Sequence, residues 1–211
     1  MHDHDHPHDN GHAPITDTNS SSHYEKRATA IVALLIEKGI VTANEVRRAI
    51  EQMDERTPAL GAKVVARAWV DPAFKSRLLS NAKSACAELR IDTGTLAHIV
   101  AVENTDAIHN VVVCTLCSCY PRAILGLPPD WYKSLSYRSR VVKDPRRVLQ
   151  EFGLVLPQEV EVRVYDSTAD MRYLVIPARP PGTEHLSEDE LARLVTRDSM
   201  IGVTQARPHV E

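Results

Sequence analysis

Apolar residues recur at helical spacing through the first third of the chain and at strand spacing later. Ala28, Ile31, Leu34 and Leu35 return every three or four positions and stop at Lys38-Gly39, which predicts a helix with a glycine end. Thr42 followed by Glu45 reads as a capping box that opens a second helix carrying Val46, Ile50 and Met53. Residues 56–61 break the pattern, and a third helical stretch covers Ala62–Trp69. Asp71-Pro72 supplies an N-cap and a first-turn proline for a helix running to about Leu79 and onward toward Leu89. The period then changes. Ala97–Glu103 and His109–Cys114 are rich in Val and Ile and read as strands. Pro128-Pro129 and Asp144-Pro145 each punctuate a short helix, the second covering Pro145–Phe152. Val160–Val164 alternates strictly and is expected to pair with Met171–Ile176 across the turn-rich residues 166–170. Ser187 with Glu190 caps a last helix through Leu194.

This order of elements predicts an α+β chain: an N-terminal helical arm, then a layered α/β domain with an antiparallel sheet core. Three divisions are expected. Residues 1–22, which alternate His with Asp and offer little to bury, form a disordered His-rich tail able to hold a divalent ion loosely. Residues 23–55 form two helices with apolar stripes and no neighbour of comparable size, so they are expected to pack on a partner subunit. A pair folded back on its own domain is the competing reading. Residues 56–211 form the domain that carries the chemistry.

Composition narrows the function classes. Net charge is −3, with 25% charged residues in 211, so bulk electrostatics point to neither nucleic acid nor a membrane surface. No apolar run approaches the roughly 18 residues of a membrane span. The start lacks an apolar segment of the kind an export signal needs, and four cysteines do not make a disulfide framework; a cytoplasmic location is expected.

Three of the four cysteines fall within six residues, Cys114-Thr115-Leu116-Cys117-Ser118-Cys119, directly after the apolar run Val111–Val113 and before Tyr120-Pro121. Thiolates this close repel unless a metal or a disulfide neutralises them. A structural zinc site or an iron–sulfur cluster would ask for a fourth ligand, and Cys86 sits on a helical pattern that suits a small core residue. A dithiol redox pair has no use for a third cysteine. A fourth reading uses the backbone: the sulfurs of Cys117 and Cys119 and the peptide nitrogens of Ser118 and Cys119 chelate one ion in small rings, with Cys114 as an axial ligand. Deprotonated peptide nitrogens favour a strongly Lewis-acidic trivalent ion, and five donors leave a sixth position for chemistry.

The segment 111–121 resembles the metal claw of the nitrile hydratase α subunit, and the resemblance extends from about residue 24 to 203. Ala62–Trp69 with Asp71-Pro72, Val102–Asp106, Leu125–Lys133, Tyr137–Arg140, Asp144–Arg146, Asp166-Ser167 and Val195–Gly202 look like other segments of that family. Thr at 115 resembles the cobalt(III) type, with iron(III) the less favoured ion. One ion per chain is implied, held by Cys114, Cys117, Ser118 and Cys119. The resemblance further implies that Cys117 is a sulfinate and Cys119 a sulfenate, with Cys119 and Ser118 the catalytic residues. It implies a β subunit that supplies arginines to the site, an αβ or (αβ)2 assembly, a metal-delivery activator protein, and hydration of a nitrile to an amide. Asp166 and Arg172 match positions that support the interface. Two departures stand out. Arg122 occupies a pocket position where the family usually has Trp, and the thiocyanate hydrolase catalytic subunit, a relative with the same claw, resembles this chain there. Thr93-Gly94-Thr95 stands where Gln-Gly-Glu is common. A non-catalytic metal-binding subunit is a third reading.

Overall fold

The computed structural model describes residues 23–94 and 98–208; the His-rich tail lies outside the described residues. Among them, no helix is long and apolar enough to cross a membrane. The chain divides into two units between Met53 and Asp54. The first holds α1 (His23–Glu37) and most of α2 (Ala43–Asp54). The expected capping box forms: the Thr42 N–H donates to the Glu45 carboxylate at 2.7 Å and the Glu45 N–H to Thr42 Oγ1 at 3.1 Å. Neither helix has a buried residue, and Ile31, Leu34, Ile50 and Met53 are all exposed.

The second unit begins with α3 (Pro58–Val70), α4 (Pro72–Ser80) and α5 (Ala82–Glu88). The helix expected to run from Pro72 to about Leu79 ends at Ser80, and the stretch onward toward Leu89 is a separate helix. Asn81 closes α4 through its N–H to the Arg77 carbonyl, and its side chain then caps α5 by accepting from the Ser84 N–H at 3.0 Å. Strands β1 (His98–Glu103) and β2 (Ile108–Val113) follow. Then come α6 (Arg122–Leu125), α7 (Asp130–Lys133), α8 (Leu135–Arg140), α9 (Pro145–Glu151), β3 (Glu161–Asp166), β4 (Met171–Ile176), α10 (Glu188–Leu194) and α11 (Arg197–Ile201). The Ser187–Glu190 box caps α10 as expected, and Thr196 with Ser199 makes a second one at α11.

The antiparallel core expected from the sequence is not what forms. Both strand pairs are parallel: β1 with β4 and β2 with β3. The turn at 166–171 does not fold β3 back on β4; it carries the chain from one pair to the other. The Ser167 N–H extends the β2–β3 ladder by donating to the Val113 carbonyl at 2.7 Å, and the His98 N–H extends β1–β4 by donating to the Asp170 carbonyl at 2.8 Å. Parallel pairing requires a long crossover. Residues 114–160 supply it between β2 and β3, and the cysteine cluster is the first thing on it.

Val111, Val112 and Val113 of β2 are all buried and share one hydrophobic core with Val64 and Val65 of α3 and Met200 and Ile201 of α11. A buried polar cluster sits at its start. His109 is bonded through Nε2 to the Gly202 carbonyl at 2.7 Å and through Nδ1 to the Asn104 amide at 3.2 Å. Burial lowers the His109 pKa, only partly offset by the Gly202 carbonyl. A base whose folded pKa lies below its unfolded value of about 6.5 stabilises the fold above that value and loses the contribution as pH falls beneath it. The loss is at most about 1.4 kcal/mol per pH unit for one group. The melting temperature is therefore expected to drop between about pH 6.5 and pH 5, with a shallower drop in His109→Gln, read by thermal unfolding. Equal slopes would remove His109 from the account.

Candidate metal centre

Strand β2 ends at Val113, locked to Asp166 of β3 in register, so the chain leaves the sheet at a defined point and direction. The next six residues have no helical or strand structure. Cys114 is only 1% exposed, whereas Cys117 and Ser118 face the surface and Cys119 is half-buried. The Sγ atoms of Cys114 and Cys117 are 3.4 Å apart, and those of Cys117 and Cys119 are 3.1 Å apart. All three sulfurs lie within 4.8 Å of one another, and they are the one such group of three among the described residues. Cys86 is not part of it. That thiol is buried in α5, where burial pushes its pKa up to about 11, the behaviour of a small core residue.

The thiols of Cys117 and Cys119 are shifted in opposite directions. Hydrogen bonds from Cys119 and then Cys114, with the backbone N–H groups of Cys119 and Ser118 adding to them, bring the Cys117 thiol down to about 7. Burial, and then the same bond to Cys117, pushes Cys119 up to about 12 against the opposing charge of Arg172. Cys117 ionises more readily and Cys119 less readily than a free thiol. A cation among them removes that conflict, so the donor set fits a metal ion that accepts soft sulfur ligands, with the Ser118 and Cys119 nitrogens turned toward the same sulfur.

Side chains of Asp166, Arg138 and Tyr132 hold the loop, and that of Tyr137 holds the strand before it. Asp166 accepts from the Thr115 N–H at 2.9 Å and from the Thr115 hydroxyl at 2.6 Å. Arg138 donates to the carbonyls of Cys114 at 3.0 Å and Thr115 at 2.7 Å. The Tyr132 hydroxyl donates to the Cys119 carbonyl at 2.8 Å, and the Tyr137 hydroxyl to the Val112 carbonyl at 2.7 Å. Beneath them Trp131, Tyr137 and Phe152 pack edge to face, with centroids 4.9 Å and 4.8 Å from Trp131.

Of the residues singled out in the sequence, Cys114, Cys117, Ser118 and Cys119 come together in this loop. Asp166, expected to support a subunit interface, bonds Thr115 of the loop, and Arg172, expected in the same role, acts on Cys119 through its charge. Arg122 opens α6 just beyond the loop, with its side chain exposed. Sequence reasoning assigned no role to Tyr132 or Arg138. Each bonds a backbone carbonyl, a partner that leaves no mark in residue type or spacing.

Known proteins share the sequence and the fold of this chain. The profile of the nitrile hydratase alpha chain family matches residues 22–204. The alpha subunit of the high-molecular weight cobalt-containing nitrile hydratase of Rhodococcus rhodochrous is 54% identical over 89% of this chain and 94% of its own length. The thiocyanate hydrolase gamma subunit of Thiobacillus thioparus is 40% identical over 90% of this chain and 82% of its own. A histidine-to-alanine double mutant of the Fe-type nitrile hydratase from Comamonas testosteroni Ni1 superposes with a TM-score of 0.84 at 43% identity, covering 90% of this chain and 96% of the other. With the three sulfurs gathered on one loop and the similarity running almost end to end, the chain belongs to the nitrile hydratase alpha-chain family.

Proposed function

We propose that this chain is the catalytic α subunit of an enzyme that hydrates nitriles to amides, RC≡N + H2O → RC(=O)NH2, using one cobalt(III) per chain. The observation that carries this is the convergence of three sulfurs on a loop open at the surface. The Cys114, Cys117 and Cys119 sulfurs and the Ser118 and Cys119 nitrogens would hold the ion. Bound there, it supplies Lewis-acid activation of the nitrile or of water. Cys114 anchors the loop to the buried end of β2, while Asp166 keeps Thr115 from swinging outward. Cys119, as a sulfenate, carries an anionic oxygen able to act as nucleophile or base toward a substrate at the open face, and Cys117 completes the site as a sulfinate. Arg172 provides a positive charge that favours the anionic form of Cys119.

Each of the two units leaves apolar side chains open to a partner. Leu116, at the tip of the loop, is 87% exposed, and the apolar stripe of α1 and α2 is also uncovered. An αβ or (αβ)2 assembly would cover both, with arginines of the partner β subunit meeting the oxidised sulfurs through charge-assisted bonds. Loading by an activator protein and a cytoplasmic location complete the reading.

Arg122 favours a second reading. It is an exposed cation next to the loop, suited to an anionic substrate such as thiocyanate. Co-expression with a β subunit, metal analysis, and parallel assays on a small aliphatic nitrile and on thiocyanate separate the two. Amide formation is expected, and Arg122→Trp is expected to lower any thiocyanate conversion without lowering nitrile turnover. A cobalt-loaded complex that converts thiocyanate and hydrates no nitrile would replace the first reading with the second.

A further inference from the structure

The loop that gathers the sulfurs lies outside both sheets and every helix, so its shape must be imposed by side chains. We infer that the α7–α8 pair is the frame that sets this shape, with Arg138 and Tyr132 as its positioning residues. The inference rests on the reading of the cysteine loop as a metal site and names what holds the donors in place.

The two residues grip opposite ends of the loop. Arg138 takes the entrance, with Nε on the Cys114 carbonyl and Nη2 on the Thr115 carbonyl, two oxygens of consecutive peptides bound by one planar guanidinium. Tyr132 takes the exit through the Cys119 carbonyl. The three residues between, Leu116, Cys117 and Ser118, are exposed. Their path is set by where the ends are held. A lysine could not reproduce the entrance contact, because a single ammonium lacks the fork that matches two neighbouring carbonyls.

The frame is itself rigid and tied to the sheet. Ser134 joins its halves by donating to the Trp131 carbonyl at 2.8 Å and accepting from the Tyr137 N–H at 3.1 Å. Tyr132 and Tyr137 are buried, so their rings have one place to lie. The Tyr137 hydroxyl is bonded to the Val112 carbonyl, two residues before Cys114, so the block that grips the loop also grips the strand that delivers it. Sulfur spacing is thereby referred to the core. Groups that orient metal ligands without touching the ion typically change affinity 10–100-fold when removed.

The test compares wild type, Arg138→Lys, Tyr132→Phe and, as a control, Arg163→Lys, each co-expressed with a β subunit in cobalt-containing medium. Arg163 is an exposed residue of β3 paired with Glu161, and none of the hydrogen bonds described for the loop involves it. Cobalt per chain, the rate of cobalt loss to a chelator, the sulfur-to-metal absorption band and the melting temperature are measured. Roughly 10–100-fold faster cobalt loss and a shifted band are expected in Arg138→Lys, and the same in lesser degree in Tyr132→Phe, with the control unchanged. If Arg138→Lys does not fold, Tyr132→Phe decides, since it keeps the buried ring and deletes one hydroxyl. Variants that melt lower but hold cobalt with the wild-type band and loss rate would overturn the inference, leaving these residues merely structural. A folded wild type that retains no cobalt would instead overturn the metal reading, and the inference with it.

Discussion

Replacing Cys114, Cys117 or Cys119 with serine is expected to abolish metal retention, while Cys86→Ser is expected to leave it intact. The substitution is nearly isosteric, so the loop keeps its contacts to Asp166, Arg138 and Tyr132. What changes is the donor. A serine hydroxyl stays protonated at neutral pH and is hard where the ion wants a soft, anionic ligand. Loss of a direct ligand should exceed the effect of losing an outer support, so affinity is expected to fall at least about 100-fold. Cys86 has the opposite profile: buried in α5 and kept protonated by burial. Its serine variant places a hydroxyl in the core and is expected to lose about 1–3 kcal/mol of stability without losing metal. Metal-to-protein ratios of the four purified variants check this, with sulfur oxidation states read by intact mass. Equal loss in all four would point to a four-cysteine cluster.

Gly202→Ala is expected to be among the most damaging single substitutions in the fold. Gly202 closes α11 at a φ of +90°, a left-handed conformation that costs any other L-residue about 1–2 kcal/mol. A Cβ there would lie 1.9 Å from the Asn110 carbonyl oxygen and 3.1 Å from the Val111 Cα. Those are backbone atoms of β2, so relief requires moving the strand. The Gly202 carbonyl is also the acceptor for buried His109. A loss of more than about 4 kcal/mol is expected, read as a fall in the urea midpoint. Because β2 delivers Cys114, any folded fraction should also hold metal less firmly. A midpoint within experimental scatter of wild type would show that β2 yields more easily than a close-packed strand should.

The architecture was legible only in part, and the line between legible and hidden follows the range of the interactions. Capping at Thr42–Glu45, at Asp71 and at Ser187–Glu190 was readable because each cap is made by residues three apart. The end of α4 near Leu79 was readable, but the continuation toward Leu89 belongs to a separate helix, since a helical pattern that persists across Asn81 does not show where one helix stops and the next is capped. The hairpin expected between β3 and β4 failed for a different reason. Alternation in Val160–Val164 says that a strand exists, but strands so close in sequence can pair with each other or be carried past each other to partners already waiting. Here β1 and β2 were those partners, and the turn at 166–171 extends both ladders at once.

For the candidate site, the sequence by itself determined the donors. Cys-x-x-Cys-Ser-Cys puts three sulfurs and two peptide nitrogens on six consecutive residues, near enough in sequence for one turn of chain to bring them to a common point, although the same stretch extended would span roughly 20 Å. Tertiary structure alone decided how those donors are held: Asp166 reaches Thr115 from 51 residues away, and Arg138 and Tyr132 reach Cys114 and Cys119 across 24 and 13. Those contacts exist because parallel pairing of β2 with β3 sends the chain out on a long crossover that folds back over its own beginning. A short-range pattern can name the ligands of a metal; only the return of distant chain can fix the shape in which they are presented.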